Sequence, residues 1–504
     1  MTTNQHNSIE RPPIVVVLGH VDHGKSSLLD YIRKTNIVAS EAGGITQHTA
    51  AYEVVHKDAT GTHKKITFID TPGHEAFRAQ RQRGASVADI AILVVSAEDG
   101  VKAQTKEAVH AIESAGIPYI VAINKIDAPN ANVERTVANL IENSIFLEGH
   151  GGSTPYIPIS AKKGTGINEL LEMILLVASL EELTTQPDGP AEGVVIEAHR
   201  DAQKGISATF IITNGHLSKG SAVAAGKSCS PVRAIYDFKG EQIETAEACA
   251  PVTIIGWNTL PEVGINVHTF DTKKNAENFC ANSVTVHADI PTRATLSPDD
   301  TAEHALVPVI IKADVSGSLD AIAHEIAKIQ EEKVDLKIIL ADVGPISEND
   351  IKRAGGDART VIIGFNTSVE TEARLSAERI GMAVHTETII YKLTEWLTEL
   401  VAERRPKETV QEIRGQARVL KFFSAVKTKQ VIGARVDEGA FHVGDTVTIV
   451  RRDEEIGTGR IVGLQKDRDQ VKQVPVGTEF GGRIDASVTI ASGDTLISYT
   501  SVTR

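Results

Sequence analysis

Residues 14–18 read Ile-Val-Val-Val-Leu, and the octet Gly19-His20-Val21-Asp22-His23-Gly24-Lys25-Ser26 follows without a break. The octet fits G-x-x-x-x-G-K-[ST], in which glycines let a short loop bend round an anion. The apolar run reads as a strand buried on both faces, and an amphipathic pattern over residues 26–33 supplies the helix behind the loop. Backbone N–H groups in such a loop converge on phosphate oxygens, and the helix N-terminus adds positive potential. Lys25 is then placed to reach the β- and γ-phosphates and Ser26 to ligate Mg²⁺.

The rest of the front region extends this pattern. Apolar runs at 66–69, 90–95, 119–123 and 156–159 alternate with helical patterns at 76–83, 102–115, 133–143 and 167–178. This predicts a doubly wound, mostly parallel α/β domain over residues 12–183, preceded by a disordered tail at 1–11 and followed by a loop at 184–190. A chain of 504 residues exceeds one hydrophobic core, so three to five domains are expected. Short alternating segments broken by Gly, Asn and Pro, with no long helical pattern, predict a β-barrel over 190–290, then a linker holding Pro291 and Pro298. A second α/β region spans 304–388, with strands at 307–311, 336–340 and 361–365 and helices at 319–330 and 347–353. A helix at 389–405 stops before Pro406, and β texture returns over 406–504. Gly215 to Val223 matches Gly439 to Val447 in the spacing of its glycines, which suggests two related barrels. The fold class is therefore multidomain α/β plus β-barrels.

Asn124-Lys125-Ile126-Asp127 ends the run at 119–123. The Asp127 carboxylate can accept hydrogen bonds from guanine N1–H and the 2-amino group. Adenine presents neither donor, which would leave the acid unsatisfied. Asn124 can tie this loop to the phosphate loop, and the Lys125 stem can lie over the base. Ser160-Ala161-Lys162 follows the next strand and is expected to turn backbone N–H groups toward the guanine oxygen. The ligand predicted is GTP with Mg²⁺ rather than ATP.

Asp70-Thr71-Pro72-Gly73-His74 closes another strand. Asp70 is placed to hold Mg²⁺ through water, and Gly73 to offer its N–H to the γ-phosphate; loss of that phosphate frees the loop. His74 stands where other GTPases place a water-orienting glutamine and is the candidate catalytic residue. Gly43-Gly44-Ile45-Thr46-Gln47-His48 supplies a hinge and a second hydroxyl for Mg²⁺, from Thr46. Arg78, Arg81 and Arg83 read as a docking face for a phosphate-rich partner, and slow intrinsic hydrolysis with partner-triggered turnover is expected.

Composition narrows the partners. The net charge of −14 opposes non-specific coating of nucleic acid, yet residues 405–504 carry 16 Lys/Arg against 13 Asp/Glu and are the one large region with a basic excess. Aromatics are 4% of residues, so cores must be built from Val, Ile, Leu and Ala. Cys229, Cys249 and Cys280 form no C-x-x-C and read as small buried hydrophobes in a reducing compartment. The N-terminus lacks an apolar signal region, and no apolar run reaches about 18 residues. The expectation is a cytoplasmic monomer with no membrane partner.

The set Gly-His-Val-Asp-His-Gly-Lys at 19–25, Gly-Gly-Ile-Thr-Gln-His at 43–48 and Asp-Thr-Pro-Gly-His at 70–74 resembles the bacterial translation initiation factor two family. Residues 310–318 and 362–366 resemble that family's third domain, and similarity runs from about residue 12 to the end. The resemblance implies a P-loop GTPase domain, a β-barrel, an α/β/α domain, a connecting helix and a C-terminal β-barrel. It implies that the GTP-bound chain places formylmethionyl initiator tRNA on the small ribosomal subunit, promotes joining of the large subunit, and is released after ribosome-triggered hydrolysis. Three departures stand out. Only about eleven residues precede the GTPase region, where many relatives carry a long extension. Lys102-Ala103-Gln104-Thr105 lacks the usual proline, a change expected to affect a loop. In the last barrel Glu479-Phe480-Gly481 replaces Glu-Cys-Gly, and Gln465-Lys466-Asp467-Arg468 replaces a basic-aromatic run, which predicts an altered initiator pocket with Phe480 as either a stacking or a core residue. The competing readings are an elongation-type factor carrying another aminoacyl-tRNA, a GTPase subunit of a metabolic enzyme, and a GTP-binding scaffold without turnover.

Overall fold

The computed structural model describes residues 8–34, 45–58, 60–201, 204–283, 305–329, 334–405, 409–467 and 469–503. Gly43, Gly44, Pro291, Pro298, Pro406 and Arg468 lie outside the described residues. Residues 1–404 form one compact unit and residues 405–504 another.

In the first unit, β1 (Ile14–Gly19), β2 (Ala50–Lys57), β3 (His63–Asp70), β4 (Ile90–Ser96), β5 (Tyr119–Asn124) and β6 (Tyr156–Pro158) form one sheet in the order β2-β3-β1-β4-β5-β6. Only β2 runs antiparallel. The apolar run of β1 has a simple cause. Ile14, Val16 and Leu18 pack on one face and Val15 and Val17 on the other, all fully buried. Helices α1 (Lys25–Arg33), α2 (Arg78–Val87), α3 (Ala103–Ala115), α4 (Val133–Glu142) and α5 (Ile167–Leu180) cover the sheet. Leu28, Leu170 and Ile174 seal one face, and Ile112, Val137 and Leu140 the other.

The expected tail is shorter than residues 1–11. Ile9 and Glu10 pair with Thr185 and Thr184, inside the stretch read as a loop, and Arg11 is bound to Asp89 at 2.6 Å. The next region is an eight-stranded antiparallel sheet round one apolar core that includes Val195, Phe210, Val223 and Ile254. It also carries a helix, α6 (Lys273–Asn282), where no helix was expected. Its Ala276 and Cys280 pack on Cys229, and all three cysteines of the chain are buried.

The third region holds four parallel strands in the order Val334–Val343, Ala305–Ala313, Val361–Phe365, Ala383–Glu387. Helices α7 (Ser316–Lys328) and α10 (Ile390–Glu403) contribute to the core on one face, and α8 (Glu348–Arg353) and α9 (Thr371–Ile380) to that on the other. The last strand and α9 were not expected from the sequence. Phe77, from the turn between His74 and α2, is buried in the α7–α10 core, so the third region packs against that turn.

In the second unit, six strands close a ring: Thr409–Val426, Thr495–Thr503, Thr446–Arg451, Glu454–Lys466, Glu479–Ala486 and Lys429–His442, which returns to the first. Closure removes the open edges that invite aggregation. Phe480 points inward, 5% exposed, with its ring 5.6 Å from that of Phe441. It is a core residue, not a stacking platform.

The internal match has a conformational basis. Gly215 and Gly439 have φ of 73° and 66°, and Gly220 and Gly444 have φ of 95° and 102°. An added Cβ would collide with the Pro190 carbonyl oxygen at Gly215 and the Arg414 carbonyl oxygen at Gly439. Each pair of left-handed turns leads into a strand, Ala222–Ala225 or Thr446–Arg451. Gly439→Ala is expected to destabilise the C-terminal unit by about 2 kcal/mol through backbone strain. Guanidinium unfolding followed for that unit measures it, and an unchanged midpoint would refute the strain.

Candidate functional site

Four loops meet at the C-terminal ends of β1, β3 and β5 and just beyond β6, where open α/β sheets bind ligands. The loop from Gly19 to Gly24 leads into α1, with Gly24 at its N-cap. Gly24 has φ of 89°, and a Cβ there would strike the side-chain amide of Asn124. Asp22, at φ 61°, and Lys125, at φ 66°, hold left-handed conformations that cost ordinary residues energy. Lys25 is buried, with Nζ donating to the His20 carbonyl at 2.8 Å. Burial pulls its pKa down to about 8, with Asp70 opposing that shift. Gly73 lies against the Lys25 amine with no room for a side chain between them. A cavity of about 190 Å³ is lined by Val21, Asp22, Gly24, Lys25, Ser26, Thr46, Gly73, His74 and Lys125, among others.

The hydroxyls of Ser26 and Thr46 are 2.7 Å apart. With the buried Asp70 they supply oxygen donors of the kind Mg²⁺ takes. Thr71 donates its hydroxyl to the Val17 carbonyl at 3.0 Å, pinning β3 to β1 at the site. His23 is buried, its Nδ1 accepting from the Ser96 N–H at 3.3 Å. Burial takes its pKa down to about 3, so it is a neutral packing group beside His20.

Asn124 ties the loops together. Its Nδ2 donates to the His23 carbonyl at 2.9 Å, and its Oδ1 accepts from the Ala161 N–H at 2.9 Å. Ser160 donates its hydroxyl to Asp127 at 2.6 Å, which holds that carboxyl below its ordinary pKa and fixes its direction. Ile126 and Lys125 are half-buried in the same turn, and Lys162 is exposed beside it. One expectation changes. Of the three N–H groups assigned to the guanine oxygen, that of Ser160 donates to Thr165 and that of Ala161 to Asn124, so two are engaged within the protein.

His74 does two jobs. It lines the cavity, and its Nδ1 accepts from the Ala76 N–H at 3.0 Å, capping the turn that starts the next helix. Burial lowers its pKa. With Nδ1 accepting, the neutral ring carries its proton on Nε2. The arginine face also changes. Arg81 is 1% exposed, bound to the carbonyls of Pro72 and His74 and to Glu107. Arg83 pairs with Asp320 of α7. Only Arg78 of the three is exposed.

Two residues gain roles the sequence did not suggest. Gln104 accepts from the Val21 N–H at 2.9 Å, so the segment without its proline reaches the phosphate loop itself. Gln47 is 6% exposed; it donates to the Thr388 carbonyl at 2.9 Å and accepts from the Ile390 N–H at 3.3 Å. Polar residues within a run of motif were the available signal for both, but their partners lie 83 and 341 residues away.

The chain is similar to known proteins over most of its length. Residues 10–179 match the elongation factor Tu GTP binding domain, 190–270 match elongation factor G domain 2, and 292–398 match translation-initiation factor 2. The translation initiation factor IF-2 of Carboxydothermus hydrogenoformans is 41% identical over 508 residues, covering 99% of this chain and 61% of that protein. That of Rubrobacter xylanophilus is 39% identical over 500 residues, covering 97% and 71%. The chain therefore spans about three fifths to seven tenths of these relatives' lengths. The crystal structure of GDP-bound aIF5B from Aeropyrum pernix is 28% identical, with a TM-score of 0.46, over 97% of this chain and 92% of that one.

Asn124→Ala removes two buried hydrogen bonds at once, each costing about 1–3 kcal/mol when a partner is left unmade. Affinity for a fluorescent guanine nucleotide is expected to fall at least about tenfold. Unchanged affinity would show that the loops keep their register without this amide.

Proposed function

The chain belongs to the translation initiation factor 2 family, and on that premise we propose that it is a ribosome-triggered initiation GTPase. It binds GTP with Mg²⁺, delivers formylmethionyl initiator tRNA to the small ribosomal subunit, promotes joining of the large subunit, and hydrolyses GTP when the ribosome triggers it. It works in the cytoplasm as a monomer. Among the described residues no helix is long and apolar enough to cross a membrane. The GTP-binding domain spans 12–183, the second domain 190–290, the third 304–388 with its helix at 389–405, and the barrel at 406–504 carries the tRNA. Phe480 leaves the set of tRNA contacts, because its ring is in the barrel core.

The observation that supports this most is the convergence of Lys25, Ser26, Thr46, Gly73 and His74 on one cavity, with Asp127 aimed by Ser160. Lys25 and the loop N–H groups bind the phosphates, and Asp127 selects guanine. Ser26, Thr46 and Asp70 would hold Mg²⁺, which would supply positive charge to neutralise the phosphate oxygens. His74, neutral with its proton on Nε2, orients the attacking water by donating to it and is not a base. Protonation of Nδ1 would break the cap to Ala76.

Ribosomes are expected to stimulate GTP turnover strongly, and His74→Ala to abolish that stimulation while leaving GTP binding near wild type. Turnover indifferent to ribosomes would remove the translational role and favour a GTPase subunit of a metabolic enzyme. Asp127→Asn is expected to weaken GTP by at least about 100-fold, since a lost buried pairing leaves polar groups unmatched, and to accept xanthosine triphosphate instead. Competition binding with the two nucleotides reads this directly.

A further inference from the structure

Both segments that face the terminal phosphate in this reading also touch the first turn of α10. Beside Thr46, the Gln47 side chain grips that turn from two sides, through the Thr388 carbonyl and the Ile390 N–H. The next residue of the helix is Tyr391. Its ring meets the His74 imidazole edge-on, with centroids 4.4 Å apart at 87°. On its other side His74 faces Phe77, at 6.2 Å and 75°. Phe77 is 1% exposed and cannot move without opening the core under it. Asp22 of the phosphate loop is near enough for its charge, after burial, to help raise the Tyr391 phenol pKa. Tyr391 thus lies against His74 and within electrostatic reach of the phosphate loop, although it belongs to the third region of the chain.

The imidazole is held three ways: by the Ala76 N–H on Nδ1, by the Phe77 ring, and by the Tyr391 ring. The first two come from its own turn. The third comes from another region of the chain, and its ring, 43% exposed, can turn out toward solvent. We propose that Tyr391 is a positioning residue for hydrolysis. Its ring parks His74 against α10, and turnover requires that ring to turn away toward solvent so that the imidazole can swing toward the attacking water. The proposal rests on the reading of His74 as the water-orienting group. It supplies a reason for slow turnover without a partner: the barrier includes breaking an aromatic contact made by a distant part of the chain.

The test is single-turnover GTP hydrolysis by the full chain without ribosomes, together with GTP affinity. Tyr391→Ala should raise the rate about fivefold, equivalent to about 1 kcal/mol, with affinity unchanged. Tyr391→Phe, which keeps the ring, should behave as wild type. Tyr391→Leu, which keeps apolar volume without a ring, should follow Tyr391→Ala, and it stands in should the alanine variant fold poorly. In a His74→Ala background the gain should vanish. An unchanged or lower rate in both ring-less variants, or a gain that persists without His74, would overturn the positioning role. Ribosome-stimulated turnover separates the two levels. If His74→Ala retains it, the role of His74 itself is overturned. If His74→Ala loses it while the ring-less variants gain nothing, only the role of Tyr391 is overturned.

Discussion

The side-chain amide of Asn124 gives and takes one hydrogen bond in a place water cannot supply either. It lies at the end of β5, 2% exposed, donating to the His23 carbonyl of the phosphate loop and accepting from the Ala161 N–H of the turn after β6. A parallel sheet delivers its loops to one edge but does not fix their spacing. That spacing is fixed here by groups too buried to be traded for solvent, and the whole nucleotide-facing surface inherits it. Asp22 and Lys125, both in left-handed conformations, adjoin the two residues that the first of these bonds links, His23 and Asn124.

The site is also tied to the third region by several independent contacts. Gln47 holds the start of α10, His48 is 3.5 Å from Asp314, Phe77 is sunk in the neighbouring core, and Arg83 pairs with Asp320. Gln80 packs on Gly317, where an added Cβ would displace the Gln80 side-chain amide. Residues 47–48 and 77–83 thus touch the third region through packed side chains, ion pairs and hydrogen bonds, at the start of α10, on α7 and at Asp314.

The parts readable from sequence were those whose pattern is local. The buried strands β1, β4 and β5 show as unbroken apolar runs because helices cover both faces, and the phosphate loop shows because its glycines must stand where they do. The edge strand β2 was missed: Ala-Ala-Tyr-Glu-Val-Val-His-Lys is buried on few positions and has no apolar run to display. Helix α6 was missed because its buried residues are only Ala276 and Cys280. The arginines after His74 were misread for a different reason. Helical spacing says which side chains share a face but not that the preceding loop and α3 close over it, so Arg81 reads as solvated when it is almost wholly enclosed. His74 itself was found by motif, while its cap to Ala76 and its contact with Tyr391 depend on geometry that no spacing encodes.

That enclosed arginine changes how the switch can move. Its guanidinium grips the carbonyls of Pro72 and His74 from a helix position seven to nine residues on, and Glu107 neutralises it. Peeling the loop off α2 would strand a cation away from water, at a cost of several kcal/mol. The segment from Pro72 to the end of α2 is therefore expected to travel as a preassembled pawl. Because Phe77 within it is sunk in the core of the third region, its movement must open that core rather than melt and refold a chain segment.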